Sequence, residues 1–453
     1  MPKKTQPRFY LLTLGCPKNL VDSEGMSELL MSGGYRPTDQ PSRADVLMVN
    51  TCGFLEAAKA ESIAALQELA AEKRPGQALV AAGCMVQRFG PDLVREVPGL
   101  DGLIGTRSWP DILTFLQELR SHRRQEPVFH LPETGHVPAE TVALSRSGQG
   151  RRASAYVKIS DGCSAPCAFC TIPSFKGPGR SRPKDLILRE AGSLVAQGVQ
   201  ELILIAQDTT AYGRDWGETN GLPGLIQDLL GSLPGLPWLR LMYAYPGHLS
   251  QQLIEVMAAN PQVCHYLDLP LQHGHPDTLL RMRRPHNVQK VLGWIESFRA
   301  AMPDTALRTT FIVGYPGETE NEFQGLLDFM QAVQFDRVGI FPYSREPGTP
   351  AFHLPHQVPQ EVKEERYQRA MELQQQISLA RNQSHIGRRL DVLVDGAGDG
   401  LSIARSYRDA PEIDGFVVIE QELPTGVMLP VLVTGAMTYD LMAIPADQPI
   451  MVR

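Results

Sequence analysis

The stretch "ISDGCSAPCAFCTIP" places three cysteines, Cys163, Cys167 and Cys170, within eight consecutive residues of a chain that holds only seven in all. Thiols packed this closely suit metal chemistry. A zinc site takes four tetrahedral ligands, commonly as two knuckle pairs, and no partner C-x-x-C or H-x-x-x-H stands nearby. A cubane iron–sulfur cluster also has four metal corners, so three cysteinates from one loop leave one iron open to a substrate or cofactor. The spacing therefore points to a cluster with an open site, with zinc or structural thiols as the alternatives.

Cys16, Cys52 and Cys84 lie 36 and 32 residues apart, which carries no motif. Each, however, directly follows an apolar run, in "LTLGC", "MVNTC" and "VAAGC". If those runs are parallel strands, the three thiols share the C-terminal edge of one sheet and can converge on a second incomplete ligand set. The plainer reading is that small cysteines pack at strand ends. Cys264, inside "VCHYLDLPLQ", has no ligand partner in sequence and is expected in the core, while His265 and His273 read as satisfied or solvent-facing rather than catalytic.

The elements that must position these groups follow from the hydrophobic patterns. Residues 1–125 alternate apolar runs ("FYLLTLGC", "ADVLMVNTC", "ALVAAGC") with helical patterns ("SEGMSELLMSGGY", "AKAESIAALQELAAEK"), which predicts an α/β domain with a buried parallel sheet. Residues 126–152 are polar, contain Pro and lack periodicity, so they read as a linker. Residues 153–357 hold six strand candidates ("AYVKIS", "ELILIA", "LRLMYAY", "CHYLDLPL", "LRTTFIVG", "RVGIFPYS") separated by helices, a partial (βα)6 barrel. Such barrels carry chemistry at strand C-termini, and the cysteine cluster follows the first strand. Residues 358–384 form a connecting helix, and 385–453 a small all-β barrel or sandwich of short alternating strands.

With 453 residues the chain has room for several cores, and its formal net charge of −7 argues against wholesale binding to a polyanion, DNA included. No run of about 18 apolar residues and no leader pattern in "MPKKTQPRFYLLTLGC" appears, so a cytoplasmic chain without a membrane partner is expected, where thiols stay reduced.

CxxxCxxC after the first strand of a partial barrel, with Phe169 just before Cys170, resembles the radical S-adenosylmethionine superfamily. The two cysteine triplets in this order, together with "YPGET" and "PYSREPGT", resemble its methylthiotransferase family across the whole chain. The resemblance implies two [4Fe-4S] clusters: an auxiliary one on Cys16, Cys52 and Cys84, and a radical one on Cys163, Cys167 and Cys170. It also implies a C-terminal TRAM domain, and S-adenosylmethionine as both methyl donor and source of a 5′-deoxyadenosyl radical. Radical chemistry of this kind belongs to cofactors, since no side chain supplies it. Gly314 and Gly317, with Gln207 and Arg308, are candidate contacts to S-adenosylmethionine at the barrel's strand ends, where glycines admit a close backbone approach.

Family members modify either an adenosine of transfer RNA or an aspartate of ribosomal protein S-twelve. Residues 385–453 hold ten acidic and five basic residues, a net −5, which suits a basic protein better than phosphate. "TLGCPKNLVDSE" and "RSYRDAPEIDG" resemble the ribosomal-protein branch. The expected partners are therefore ribosomal protein S-twelve, free or in the small subunit, a reducing electron donor and a sulfur source. The rival readings are the same chemistry on transfer RNA and a non-catalytic iron–sulfur carrier or sensor docking on the ribosome.

Overall fold

β-Branched and apolar runs with both faces buried make parallel strands, and the first domain is built from them. The computed structural model describes residues 6–121, 126–131 and 153–446. Strands β1 (Arg8–Thr13), β2 (Arg36–Pro37), β3 (Val46–Thr51), β4 (Ala78–Gly83), β5 (Gly102–Gly105) and β6 (Val128–His130) form one parallel sheet in the order β2-β1-β3-β4-β5-β6. Helices α1 (Pro17–Ser32), α2 (Glu56–Ala71), α3 (Cys84–Glu96) and α4 (Ile112–Ser121) cover it. Strand β6 lies within the segment expected as linker, so the sheet extends past residue 125; residues 132–152 lie outside the described residues. Helix α1 begins six residues before the expected pattern. Pro17 at its first position is preorganised for a helix start, and the polar residues Lys18, Asn19, Asp22 and Ser23 that broke the apolar period are buried against other parts of the protein.

The central domain runs β7 (Ser154–Lys158), the short β8 (Ser160–Asp161) and β9 (Arg180–Ser181), then β10 (Glu201–Ile205), β11 (Trp238–Leu241), β12 (Tyr266–Asp268), β13 (Ala306–Val313) and β14 (Arg337–Pro342). Strands β7, β10 and β11 pair in parallel, as do β12, β13 and β14, and a Leu239–Val263 bridge joins the two triplets into the expected six-stranded open barrel. Helices α5 (Ile172–Lys176), α6 (Lys184–Ala196), α7 (Gly221–Ser232), α8 (Gln251–Ala259), α9 (Pro276–Arg281), α10 (Val288–Ala301) and α11 (Glu320–Val333) alternate with the strands. Aliphatic and Phe side chains from Val157 through Phe335 form one continuous core. Helix α12 (Gln360–Gln383) leads to the tail.

The tail's five strands, β15 (Arg389–Gly398), β16 (Leu401–Ser406), β17 (Val417–Ile419), β18 (Met428–Ala436) and β19 (Leu441–Pro445), close into a barrel in the order β15-β16-β17-β19-β18. One pairing, β17 with β19, is parallel.

The tail's charges divide in a way that composition does not reveal. Asp409 and Asp414 are not on an acidic face: Arg337 Nη2 of the central barrel lies 2.7 Å from Asp409, and Arg308 Nε lies 3.3 Å from Asp414. Arg405 and Arg408 are likewise buried, on Glu201 at 2.8 Å and Asp336 at 3.0 Å. Buried charge demands a partner, and here the partners come from both domains. Asp391, Asp399, Glu412, Glu420 and Glu422 stay exposed, against Arg388 and Arg389.

Candidate active site

The parallel sheet delivers the first triplet. Cys16 follows β1 as the N-cap residue of α1, Cys52 follows β3, and Cys84 opens α3 directly after β4. These are three adjacent strands, so their C-terminal ends share one edge as expected. The approach is close: a Cβ built on Gly15 would lie 2.7 Å from Cys52 Cβ and 3.0 Å from its Sγ. Asn19 braces the edge, donating to the carbonyls of Leu14 and Thr51 at 2.9 and 3.0 Å, with its Oδ1 3.6 Å from Cys84 Sγ.

The second triplet sits on the loop after β8. Ala165 N–H points at Cys163 Sγ at 3.4 Å, and Arg284 Nη1 lies 3.5 Å from Cys167 Sγ. Burial pushes Cys163 up to about 11 and Cys84 and Cys170 up to about 12, and it raises Cys52 as well. Bare thiols in these positions stay protonated; a metal centre is what turns such a set into thiolates. With sulfur donors in threes and N–H groups directed at Cys163 and Cys167, the residues fit iron–sulfur clusters. All seven cysteines are free, and Cys264 is buried in the core as expected.

The two edges face each other. Helix α5 starts two residues after Cys170 and packs on α3, the helix that Cys84 begins. Arg88 of α3 pairs with Glu346 at 3.1 Å, so "PYSREPGT" clasps the first domain, and Glu346 also accepts from Glu56 N–H.

Between the edges lies a buried ionic network that sequence reading missed. Lys158 donates to Asp22 of α1, and Lys176 lies 3.0 Å from Asp161 and 4.0 Å from Asp22. Burial works against the Asp161 carboxylate, but Lys158 and Lys176 outweigh it and hold its pKa well below the usual range. Lys18 lies close by, its pKa drawn down by burial against the opposing pull of Cys16 and Asp268. In sequence these residues are polar interruptions of apolar patterns, with no spacing that marks them.

The four expected cofactor contacts have various partners. Gln207 donates to Asp161 Oδ1 at 2.9 Å, and its own buried Oε1 has no hydrogen-bond partner among the described residues, so it stands at the strand ends with an acceptor to spare. Arg308 is occupied by Asp268 at 2.8 Å and by Asp414 of the tail. Gly314, at φ +69°, is pressed by Lys363 of α12, which an added Cβ would meet at 2.3 Å, so the close approach there is by the protein's own helix. Gly317, at φ +77°, makes a turn in which its N–H donates to His356 O at 2.9 Å. Of the two histidines read as satisfied or solvent-facing, His265 pairs with Asp304 at 2.6 Å, and His273 is fully buried, accepting from His275 N–H at 2.9 Å with its Nε2 3.6 Å from Glu318.

Comparison with known proteins agrees with this architecture. Residues 8–105 match an uncharacterized protein family, UPF0004, residues 157–330 the radical SAM superfamily, and residues 386–445 the TRAM domain. The chain is 51% identical over 456 residues to the ribosomal protein uS12 methylthiotransferase RimO of Chloroflexus aurantiacus, spanning 96% of this chain and 98% of that one. It is 49% identical to the protein of the same name from Roseiflexus sp., over 98% of both chains. The chain belongs to the uS12 methylthiotransferase RimO family. Structural likeness is to the radical S-adenosylmethionine methyltransferase TsrM from Kitasatospora setae, with a TM-score of 0.55 at 14% identity over 88% of this chain and 80% of that one. The cobalamin-dependent radical enzyme OxsB superposes with a TM-score of 0.52 at 12% identity, over 81% of this chain and 56% of that one. At those identities the likeness is one of fold. No helix among the described residues is long and apolar enough to cross a membrane.

Proposed function

We propose that this chain is a cytoplasmic radical S-adenosylmethionine methylthiotransferase acting on the β-carbon of an aspartate in ribosomal protein uS12. One observation carries the reading. Two cysteine triplets, each at the C-terminal edge of its own parallel sheet, are held facing each other by the packing of α5 on α3. Facing sites suit a reaction in which one centre activates a carbon and the other delivers sulfur.

In this reading Cys163, Cys167 and Cys170 hold the radical [4Fe-4S] cluster, and Cys16, Cys52 and Cys84 hold the auxiliary one. When bound, the clusters and S-adenosylmethionine supply hydrogen abstraction from an unactivated C–H bond together with sulfur and methyl donation. The protein's own residues do the rest. Arg284 and Ala165 N–H support the radical-loop sulfurs, Gln207 offers its free Oε1 at the strand ends, and the Lys158–Asp22–Lys176–Asp161 network fixes the two edges against each other. Gly314, Gly317 and Arg308 shape the surrounding wall at the strand ends. The exposed excess of acidic residues on the tail favours a basic protein partner over a nucleic acid. An external reductant and a sulfur source complete the reaction.

The test is to reconstitute the protein with iron and sulfide without oxygen, then incubate it with S-adenosylmethionine, dithionite and purified uS12. Peptide mass analysis is expected to locate one methylthio group on an aspartate. Unchanged uS12, with a methylthio group gained instead by transfer RNA in a parallel incubation, would sink the reading.

A further inference from the structure

Among the described residues four lysines are buried, Lys18, Lys158, Lys176 and Lys363. Lys158 and Lys176 sit on carboxylates, and Lys363 donates to Tyr343 O at 2.9 Å. Lys18, only 9% exposed, has no hydrogen bond and no ion pair among the described residues. A buried ammonium without an anion is costly, and a protein retains one where the anion arrives with a ligand.

Its surroundings sharpen the point. Lys18 occupies the first turn of α1, two residues beyond Cys16, and its Nζ lies 3.2 Å above the centroid of the Tyr243 ring. Tyr243 follows β11, at the same edge of the barrel as the cysteine loop, and has φ +63°, a left-handed conformation unfavourable for an aromatic residue. The strain is enforced from both sides: Tyr243 N–H donates to Asp268 Oδ2 at 2.9 Å, and its carbonyl accepts from Thr209 N–H at 3.1 Å. The nearby carboxylates are already committed, Asp268 to Arg308 and Tyr243, and Asp161 to Lys176 and Gln207. Between the two cysteine edges Lys18 is thus a cation held on an aromatic ring, with no carboxylate hydrogen-bonded to it among the described residues.

We propose that Lys18 receives the side-chain carboxylate of the substrate aspartate and so selects aspartate as the residue to be modified. This rests on the uS12 reading above and adds the group that makes it specific. The reacting β-carbon is bonded directly to the carboxylate carbon. Gripping the carboxylate therefore fixes the methylene between the two cysteine edges, and a neutral amide in its place leaves Lys18 buried and unpaired.

The experiment compares wild-type holoenzyme and Lys18→Met with uS12 and with uS12 carrying Asn at the modified position, measuring Kd, product and iron per chain. Wild type is expected to bind the aspartate form about 10- to 100-fold more tightly, the range of a buried charge-assisted contact. Lys18→Met is expected to keep its iron and lose that preference. Equal binding of both uS12 forms by wild type would overturn the proposal without reference to any variant. A preference that survives in Lys18→Met would also overturn it. Should Lys18→Met lose iron, Lys18→Arg, which keeps the charge, is expected to retain a preference for aspartate; its absence there would count against the proposal. Failure of the underlying function registers separately, as no methylthio gain on uS12 by wild type.

Discussion

A thiol that burial holds near pKa 12 loses its proton to solvent only when a metal centre takes up the thiolate in its place, so iron binding is the sensitive readout for Cys84 and Cys170 and for the triplets they belong to. Replacing Cys163, Cys167 and Cys170 together by Ala is expected to leave about half of the iron and to abolish cleavage of S-adenosylmethionine. Replacing Cys16, Cys52 and Cys84 instead is expected to remove the other half, leave cofactor cleavage and stop methylthio transfer. Full iron in either variant would refute the ligand assignment. Cys264→Ala is the control, expected to keep all iron and lose about 1 kcal/mol of stability from a small core cavity. The placement of the six cysteines in two triplets at strand ends was legible because sulfur's chemistry is specific and because strand ends could be read from the apolar runs. Lys18 and Asp22 were not, because a polar residue on a helix looks solvent-facing until the partner domain that buries it is known.

At the scale of elements, glycine precedes the cysteine in "LGC", "AGC" and "DGC", and the same conformation explains all three. Gly15, Gly83 and Gly162 have φ of +92°, +99° and +75°. Each is pressed by a neighbour: a Cβ at Gly83 would meet Asn50 Oδ1 at 2.2 Å, and one at Gly162 would meet Pro178 O at 2.3 Å. The strand must turn sharply into the cysteine, and only glycine does so without strain. Gly83→Ala is expected to cost about 1–3 kcal/mol and to lower iron retention at the first triplet, read by iron content and Tm. Gly192→Ala, in open space on α6, is expected to be neutral or to stabilise by up to about 1 kcal/mol. A Gly192 variant that lost more than Gly83→Ala would contradict the argument. Of the elements themselves, the six barrel strands and five tail strands were readable from period and punctuation. Helix α3 was not, since Pro91 lies inside it and Phe89 at φ −134° kinks it.

For the whole molecule, the tail is fastened to the barrel by buried charge. Glu201 accepts from Arg240 at 2.6 Å within the barrel and from Arg405 of the tail at 2.8 Å. Burial, then Arg408 and Arg388, depress His385 to about 4. It is therefore neutral when folded and titrates near its ordinary value of about 6.5 when unfolded. Its contribution to stability is lost as pH falls from about 6.5 to 4, by up to about 1.4 kcal/mol per unit. Glu201, Asp336 and Asp409 have lowered pKa values, so their contribution is lost only at pH below the ordinary carboxylate range. His385→Leu is expected to flatten Tm against pH in the upper window and leave the acid limb unchanged. An unaltered profile would assign that window to another group. The tail's net charge was legible from composition, but not which carboxylates face water, because that depends on where the barrel's arginines meet them.

The buried seam also limits how far the tail can be treated as an interchangeable module. A chimaera that kept this barrel but received a tail from a distant relative would leave Glu201, Arg308, Arg337 and Asp336 each short of a partner that Arg405, Asp414, Asp409 and Arg408 now provide. Stranding even one such group costs about 3–5 kcal/mol, a large share of a domain's stability. Redirecting this scaffold to a new macromolecule by grafting therefore requires transplanting the "RSYRDAPEID" loop along with the barrel surface it locks into, and changing only residues that face water.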